Sequence, residues 1–429
     1  MRPMKYLLLV SAASFGLMGC EAVSGDTDSN AQGAQRGNAS ATNLPDTTVR
    51  VTQDRQQISK GWHYLENPVR DVFKANEMND WEAVDLPHTW NADDTTDVIT
   101  GYRRDASWYR KQLDLNPEEG KRYFLHFEAA QMKASVYVNG QKSGDHVGGY
   151  TAFDIEITDQ VRAGVNDILV RVDNGVDFDV VPSQKADFFQ YGGLTRDVFI
   201  ETRPVNFIEQ VRVNTDVNAE RALITLNPII NGEGYDTIQY SVKGPNGVTI
   251  GTQGGTDNED RAVIRIDKPK LWHPDTPNLY KLMADILDAD GNVIHTREET
   301  FGLRWFEFKA NGPFFLNGER LLLRGTHLHE GHAGMGSAMT DEQRIADLTA
   351  IKELGANFVR LGHYSHDPVI YDTADKLGII LYDEVPWNRG GVGGTRHPSN
   401  LHCWRRRCAV QPAGTDVRGA RKTADLLPH

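Results

Sequence analysis

Between Arg320 and Asp383 the chain alternates short apolar runs with two helical ones, and this pattern restricts its fold more than any other feature. "RLLLRG" (320–325), "NFVRL" (357–361) and "IILYD" (379–383) read as strands. The first intervening run, "TDEQRIADLTAIKELG", opens with Thr340 and Gln343 in capping-box spacing. It carries Ile345, Leu348, Ile351 and Leu354 at helical spacing, and Gly355 suits its C-terminal cap. The spacing predicts a second helix that begins at Asp367-Pro368 and closes at Gly378. Apolar strands separated by helices form a buried, parallel sheet. A doubly wound sheet and a (β/α)8 barrel both begin this way. No glycine-rich phosphate fingerprint comes after any of the strands, which disfavours a dinucleotide fold. The segments after the strands are instead polar: "THLHEGH", "GHYSHD" and "DEVPWN". In a barrel such strand ends converge on one face, where the active site lies.

The chain before this region is patterned for β-structure. From about 50 to 204, "RYFLHFEAAQMKASVYVNGQKSGDHVGGYTAFDIEIT" and "NDILVRVDN" alternate apolar and polar residues, with Asn139-Gly140 as a type I′ hairpin signal. Short strands over this length predict a β-sandwich of jelly-roll type. Trp62, Trp81, Trp90 and Trp108 lie in it; they are candidates to stack on sugar rings, but tryptophan is usually buried, so most are expected in the core. From 205 to 303 the strands continue in a smaller unit, with Asp290-Gly291 placed as a hairpin turn. About seven strands in about 100 residues predict an immunoglobulin-like sandwich, and nothing in it looks chemical. The 304–394 stretch is then the start of a barrel, so the expected fold class is a multidomain chain of two β-sandwiches and an incomplete (β/α)8 barrel.

Composition narrows the partner. Against 46 basic residues stand 59 acidic ones, a net charge of −13, which argues against nucleic acid or an anionic membrane surface as the main partner. A neutral polyhydroxy ligand would be indifferent to that charge. The three cysteines cannot form a disulfide framework.

The two ends read differently from the middle. "MRPMKYLLLVSAASFGLMGC" has Arg2 and Lys5, then an apolar run too short to span a bilayer, and reads as a signal peptide over 1–20. Leu17-Met18-Gly19-Cys20 resembles a bacterial lipobox, which implies lipidation of Cys20, a lipid anchor, and with Glu21 next an outer-membrane location facing the periplasm; a plainly secreted form is the alternative. Residues 21–49, small, polar and without an aromatic, are expected to be a flexible tether. The final stretch, 395–429, shows neither helical nor strand periodicity and contains no glutamate; we expect it to come from a shifted reading frame or a truncated gene model. A functional reading of it would use Cys403 and Cys408 as ligands or its arginines as a basic patch.

With these features in place, the chain resembles glycoside hydrolase family 2, the β-galactosidases, β-glucuronidases and β-mannosidases, from about 55 to 394. The most specific part is "NFVRLGHYSHDPVIYDTADKLGIILYDE" (357–384), supported by "DWEAVDLPHTW", "SWYRK" and "LWHPDTPNLY" and by the domain order. Leu361-Gly362 and Ser365 depart from the family pattern. The resemblance implies that His329 and His363 hold sugar hydroxyls. It implies that Asp187, in "KADFFQYGGLTRDV", reaches into the sugar site from the jelly roll, and that Glu384 lies beside the site at the third strand end. Arg360 would orient the nucleophile, with His327 and Glu330 as supports and His332 left undecided. Hydroxyls need paired donors and acceptors, which such residues supply.

It further implies retaining hydrolysis by two glutamates about 5 Å apart. Both are expected on later barrel strands. A whole barrel needs about 250 residues, and from 310 onward there are about 120. We therefore expect no catalytic residue within this chain and no turnover of aryl β-galactosides by it. The substrate expected from the resemblance is a terminal β-galactoside of an oligosaccharide; a β-glucuronide, which "DFFQYGG" also suggests, and a non-catalytic carbohydrate-binding remnant are the alternatives. A competing reading takes His327 and His329 as an H-x-H metal pair of the kind found in metal-dependent amidohydrolases, since residues two apart on a strand point the same way. It leaves the two sandwiches and the 357–384 signature unexplained. Asn388 occupies the place where some family members put a magnesium-binding glutamate, so neither metal nor cofactor is expected.

Overall fold

The computed structural model describes residues 47–386, apart from 95, 99, 100, 183–185, 187 and 256–259. Cys20, the signal and tether segments, Asp187, Asn388 and the 395–429 tail all lie outside the described residues. The chain divides between Asn43 and Leu44, and every described residue belongs to the second unit.

Two antiparallel sheets make the first sandwich. In one, the spatial order is Glu82–Val84, Trp62–Leu65, Ala106–Leu115, Gly164–Asp173, Lys133–Val138 and Gln141–Val147, with Val49–Arg50 pairing parallel to Ala106–Leu115. The other runs Arg55–Gln57, Val198–Pro204, Lys121–Phe127 and Phe153–Glu156. Strands such as Lys133–Val138 bury every second residue, and those residues meet between the sheets with Trp62, Tyr109, Leu125 and Phe127. Trp62, Trp81 and Trp108 are buried, and Trp90 is half-buried beneath the Arg103 guanidinium, so the core reading of the tryptophans holds. Asn139 and Gly140 have φ of 52° and 78°, the two left-handed residues a type I′ turn requires.

The second sandwich has a three-stranded sheet (Phe207–Val217, Arg221–Asn231, Ala262–Asp267) and a four-stranded one (Thr249–Gly254, Thr237–Lys243, Leu279–Leu287, Val293–Gly302) over a shared apolar core. Asp290 and Gly291 lie in the loop of its last hairpin, where the sequence placed a turn. The loop spans 288–292 and is closed by the Asp288 side chain, which accepts from the backbone N–H of Asp290 and Asn292.

The parallel sheet comprises β1 (Gly325–Leu328), β2 (Phe358–Leu361) and β3 (Ile380–Tyr382), in that order, with α1 (Asp341–Glu353) and α2 (Pro368–Leu377) as crossovers. The first strand is a correction. The run 320–325 is not a strand: Glu319–Arg320 ends a small antiparallel sheet with Phe306–Phe308 and Phe314–Leu316. Leu321 and Leu323 pack beside Trp272, Leu316 and Ile380. Apolar side chains there signal burial rather than a ladder. The ladder starts at Gly325, where a Cβ would collide with the Phe358 carbonyl of β2. His327 therefore lies within β1, paired with Arg360, and His329 is the first residue beyond it.

Both helices start as predicted. Thr340 and Gln343 form the reciprocal capping box, and Asp367 accepts from the Val369 N–H ahead of Pro368. Gly378 caps α2 at φ 71°, and Gly355 comes just after α1 at φ 84°. The buried face of α1 is not the predicted one. Leu348 is buried and Ile351 half-buried, but Ile345 and Leu354 are exposed, while Arg344 is only 2% exposed. That arginine faces a buried carboxylate, so charge pairing decides the face where apolar spacing alone did not.

Candidate active site

The C-terminal ends of β2 and β3 bring Arg360, His363 and Glu384 together. Arg360 Nε donates to Glu384 Oε1 at 2.7 Å, and His363 Nδ1 donates to Glu384 Oε2, also at 2.7 Å. Burial pushes the Glu384 carboxyl up, but the hydrogen bonds and charges of His363 and Arg360 outweigh it and hold the group below the usual carboxylate range. Glu384 thus stays ionised and acts as an acceptor rather than a proton donor. His363 is thus engaged through Nδ1, which also lies 3.1 Å from Arg360 Nη2, and its Nε2 is left to meet a hydroxyl.

His329, from the end of β1, stands edge-on to His363 with ring centroids 4.9 Å apart. Gly362 lies beside it: a Cβ there would make ordinary contact with His329 Nε2 at 3.5 Å. The jelly roll supplies the third wall. Phe188 packs 5.7 Å from His363, 5.3 Å from Tyr364 and 6.1 Å from His329. Asp187 is outside the described residues, but its neighbour is at the strand ends.

The other expected supports go elsewhere. His327 is exposed on β1, its ring 6.2 Å from that of His329 and nearly perpendicular to it at 88°. Among the described residues no group of three His, Cys, Asp or Glu side chains is arranged to hold a metal ion. His332 is exposed, with Nδ1 3.2 Å from the Ala333 carbonyl. Glu330 turns away from the Arg360–His363–Glu384 group and is buried. It accepts from Arg196 of the jelly roll at 2.6 Å, from Arg344 of α1 at 3.1 Å, and from the Asp367 N–H at the start of α2 at 3.0 Å. Burial raises its carboxyl, yet Arg196, His366 and Arg344 pull it down to about 2. Asp367, 3.3 Å from Arg344, is raised by its own burial, with Arg196 and Arg344 opposing.

Three contributors were not found from sequence: Phe188, Arg196 and Arg344. Phe188 could have been suspected from two adjacent phenylalanines in a loop that otherwise has no strand pattern. Nothing local marks Arg196 or Arg344, because their carboxylate lies 134 and 14 residues away respectively. A further bond between the domains is the stack of Tyr150 on Tyr364, with centroids 4.0 Å apart and planes within 16°.

Hydroxyl-matching donors and acceptors, a fixed carboxylate and an aromatic wall at parallel strand ends form a site suited to a sugar. Comparisons agree. Residues 73–204, 206–304 and 307–403 match the family models described as Glycosyl hydrolases family 2, sugar binding domain; Glycosyl hydrolases family 2; and Glycosyl hydrolases family 2, TIM barrel domain. A Formosa agariphila protein provisionally named a β-glucuronidase is 44% identical over 358 residues, covering 81% of this chain and 43% of its own length. A Thermoanaerobacter pseudethanolicus β-galactosidase is 31% identical over 353 residues, covering 79% and 47%. The crystal structure of the Parabacteroides merdae β-glucuronidase superposes with a TM-score of 0.75 at 32% identity, over 80% of this chain and 48% of that one. The chain thus spans about half the length of the relatives it matches. Its three domains, their order and the strand-end site together make it a member of glycosyl hydrolase family 2.

Proposed function

We propose that the chain binds the non-reducing terminal sugar of a β-glycoside, with a β-glucuronide favoured, as part of an enzyme that hydrolyses such bonds with retention. The observation that carries the binding role is the Arg360–His363–Glu384 group beside His329, closed by Phe188. Glu384 is occupied by two cationic or polar partners, so binding rather than proton transfer is its part. Support for the glucuronide comes from the names of the Formosa and Parabacteroides relatives, which favour the alternative substrate over the β-galactoside expected first. The β-galactoside stays as the second reading on the Thermoanaerobacter relative. The test is saturation-transfer NMR on the 429-residue chain with methyl β-glucuronide and methyl β-galactoside. Transfer to the glucuronide that disappears in His363→Ala is expected. Stronger transfer to the galactoside would move the assignment to the second reading, and transfer to neither would sink both.

A further inference from the structure

Arg196, a jelly-roll residue, ties together the two strand-end segments that carry His329 and His363. It is 2% exposed, and its Nη2 spends one proton on Glu330 Oε2 at 2.6 Å and the other on the Ser365 carbonyl at 2.7 Å. Glu330 follows His329 directly, and Ser365 comes two residues after His363. One nitrogen therefore holds both segments close to the points where they present their rings. Nη1 of the same guanidinium donates to the carbonyls of Tyr150 at 3.3 Å and Glu128 at 3.4 Å, so the group is itself anchored in the jelly roll.

The segment that bears His363 depends on such an anchor. Residues 362–367 lie between β2, which ends at Leu361, and α2, which starts at Pro368, and they belong to neither. The Gly362 N–H still reaches the Leu328 carbonyl at 2.9 Å, and at the other end the Asp367 N–H donates to Glu330 Oε1 at 3.0 Å. Arg196 fixes the middle of the segment through Ser365. The 4.9 Å between the His329 and His363 ring centroids is thus set by backbone positions that share one guanidinium. Groups that must meet one ligand together lose their use when they drift by about 1 Å. We propose that Arg196 is a positioning residue of the sugar site: without touching the ligand, it sets the spacing of His329 and His363 through Glu330 and the Ser365 carbonyl. The inference rests on the sugar-binding reading above and goes beyond it, because it assigns the alignment of two barrel histidines to a residue of the jelly roll.

Two variants of the 429-residue chain separate positioning from stability. Arg196→Lys keeps a positive charge beside Glu330 but is shorter and lacks the fork, so it cannot serve both segments and the jelly-roll carbonyls at once. Gly378→Ala, at the opposite end of α2, drives a Cβ against the Pro274 carbonyl and controls for lost stability. Both are measured well below their melting temperatures. With labelled histidines, the ring-to-ring nuclear Overhauser contact of His329 and His363 is expected in the parent and in Gly378→Ala and is expected to vanish in Arg196→Lys. Methyl β-glucuronide or methyl β-galactoside, whichever the parent takes, should bind Arg196→Lys about tenfold more weakly and Gly378→Ala as it binds the parent. In the parent itself the two protons of Arg196 Nη2 should give separate resonances, because each has its own acceptor; this readout needs no variant to fold. A ring contact that survives in Arg196→Lys, equal losses in the two variants, or a single averaged Nη2 line would overturn the positioning role and leave the sugar reading standing. If the parent binds neither glycoside while the ring contact still depends on Arg196, the positioning role stands and the sugar reading fails.

Discussion

Glu330 and Glu384 are both strand-end carboxylates held below the usual range, and their surroundings give them different work. Glu330 is sealed between Arg196 and Arg344, all three side chains no more than 5% exposed. Truncating it leaves two buried cations short of their partner, so Glu330→Ala should cost about 3–5 kcal/mol in urea unfolding. Glu384 and Arg360 are 22% and 39% exposed, and water can replace part of their pairing. Glu384→Gln should therefore change stability by no more than about 1 kcal/mol. It should nevertheless weaken methyl glycoside binding by about tenfold, because a charged acceptor is lost and His363 is no longer oriented. A Glu384→Gln variant that binds normally would remove this carboxylate from the site. The motif reading put Glu384 beside the site and Glu330 only among the supports, but what Glu330 supports lies in Arg196 and Arg344, which only folding brings close.

At the scale of elements, local features were legible and shared ones were not. The capping box of α1, the Asp367-Pro368 start of α2 and the two terminal glycines depend on neighbours within a few residues, and all four are as read. The first barrel strand and the buried face of α1 depend on distant partners, and both were misread. Leu321 and Leu323 are apolar because they meet Trp272 of the second sandwich, and Arg344 is buried because it meets Glu330. The glycines allow a direct test of this division. Gly355→Ala meets nothing within 4 Å and should cost about 1–2 kcal/mol, the strain of a left-handed Cβ alone. Gly378→Ala carries the same strain and also drives its Cβ into the Pro274 carbonyl, so about 2–4 kcal/mol is expected. Chemical denaturation of the two variants compares them, and equal losses would show that Pro274 does not hold α2.

At the scale of the molecule, each sandwich grips the barrel region at its own point. Trp272 donates from Nε1 to the Asp375 carbonyl of α2 at 3.0 Å, with the Arg304 guanidinium 4.2 Å from its ring. The jelly roll binds through Arg196, Tyr150 and Phe188, and acid groups collect at that junction. Glu128 is raised to about 8 by burial, with Asp367 and Asp197 adding to it and Arg196 opposing. Asp341 is raised to about 6 by burial, then by Asp367 and Asp197. A carboxyl raised on folding favours the folded state while protonated, fully so below its ordinary value. That contribution is lost as pH rises through the folded value. The Glu128 contribution should therefore fall between about pH 4.5 and pH 8, so Glu128→Gln should gain in melting temperature relative to the parent as pH rises and melt higher than it at pH 8. An unchanged slope in that variant would take Glu128 out of the linkage. The sequence by itself determined the domain order, the alternation that makes two sandwiches, the helix caps and the family, because period, turn chemistry and motif are written in neighbouring residues. Only the tertiary structure decided where the first barrel strand lies, that Glu330 joins domains through Arg196 and Arg344, and that Phe188 packs at the strand ends. Those outcomes depend on desolvation and charge pairing between residues far apart in the chain, and spacing along a sequence does not encode either.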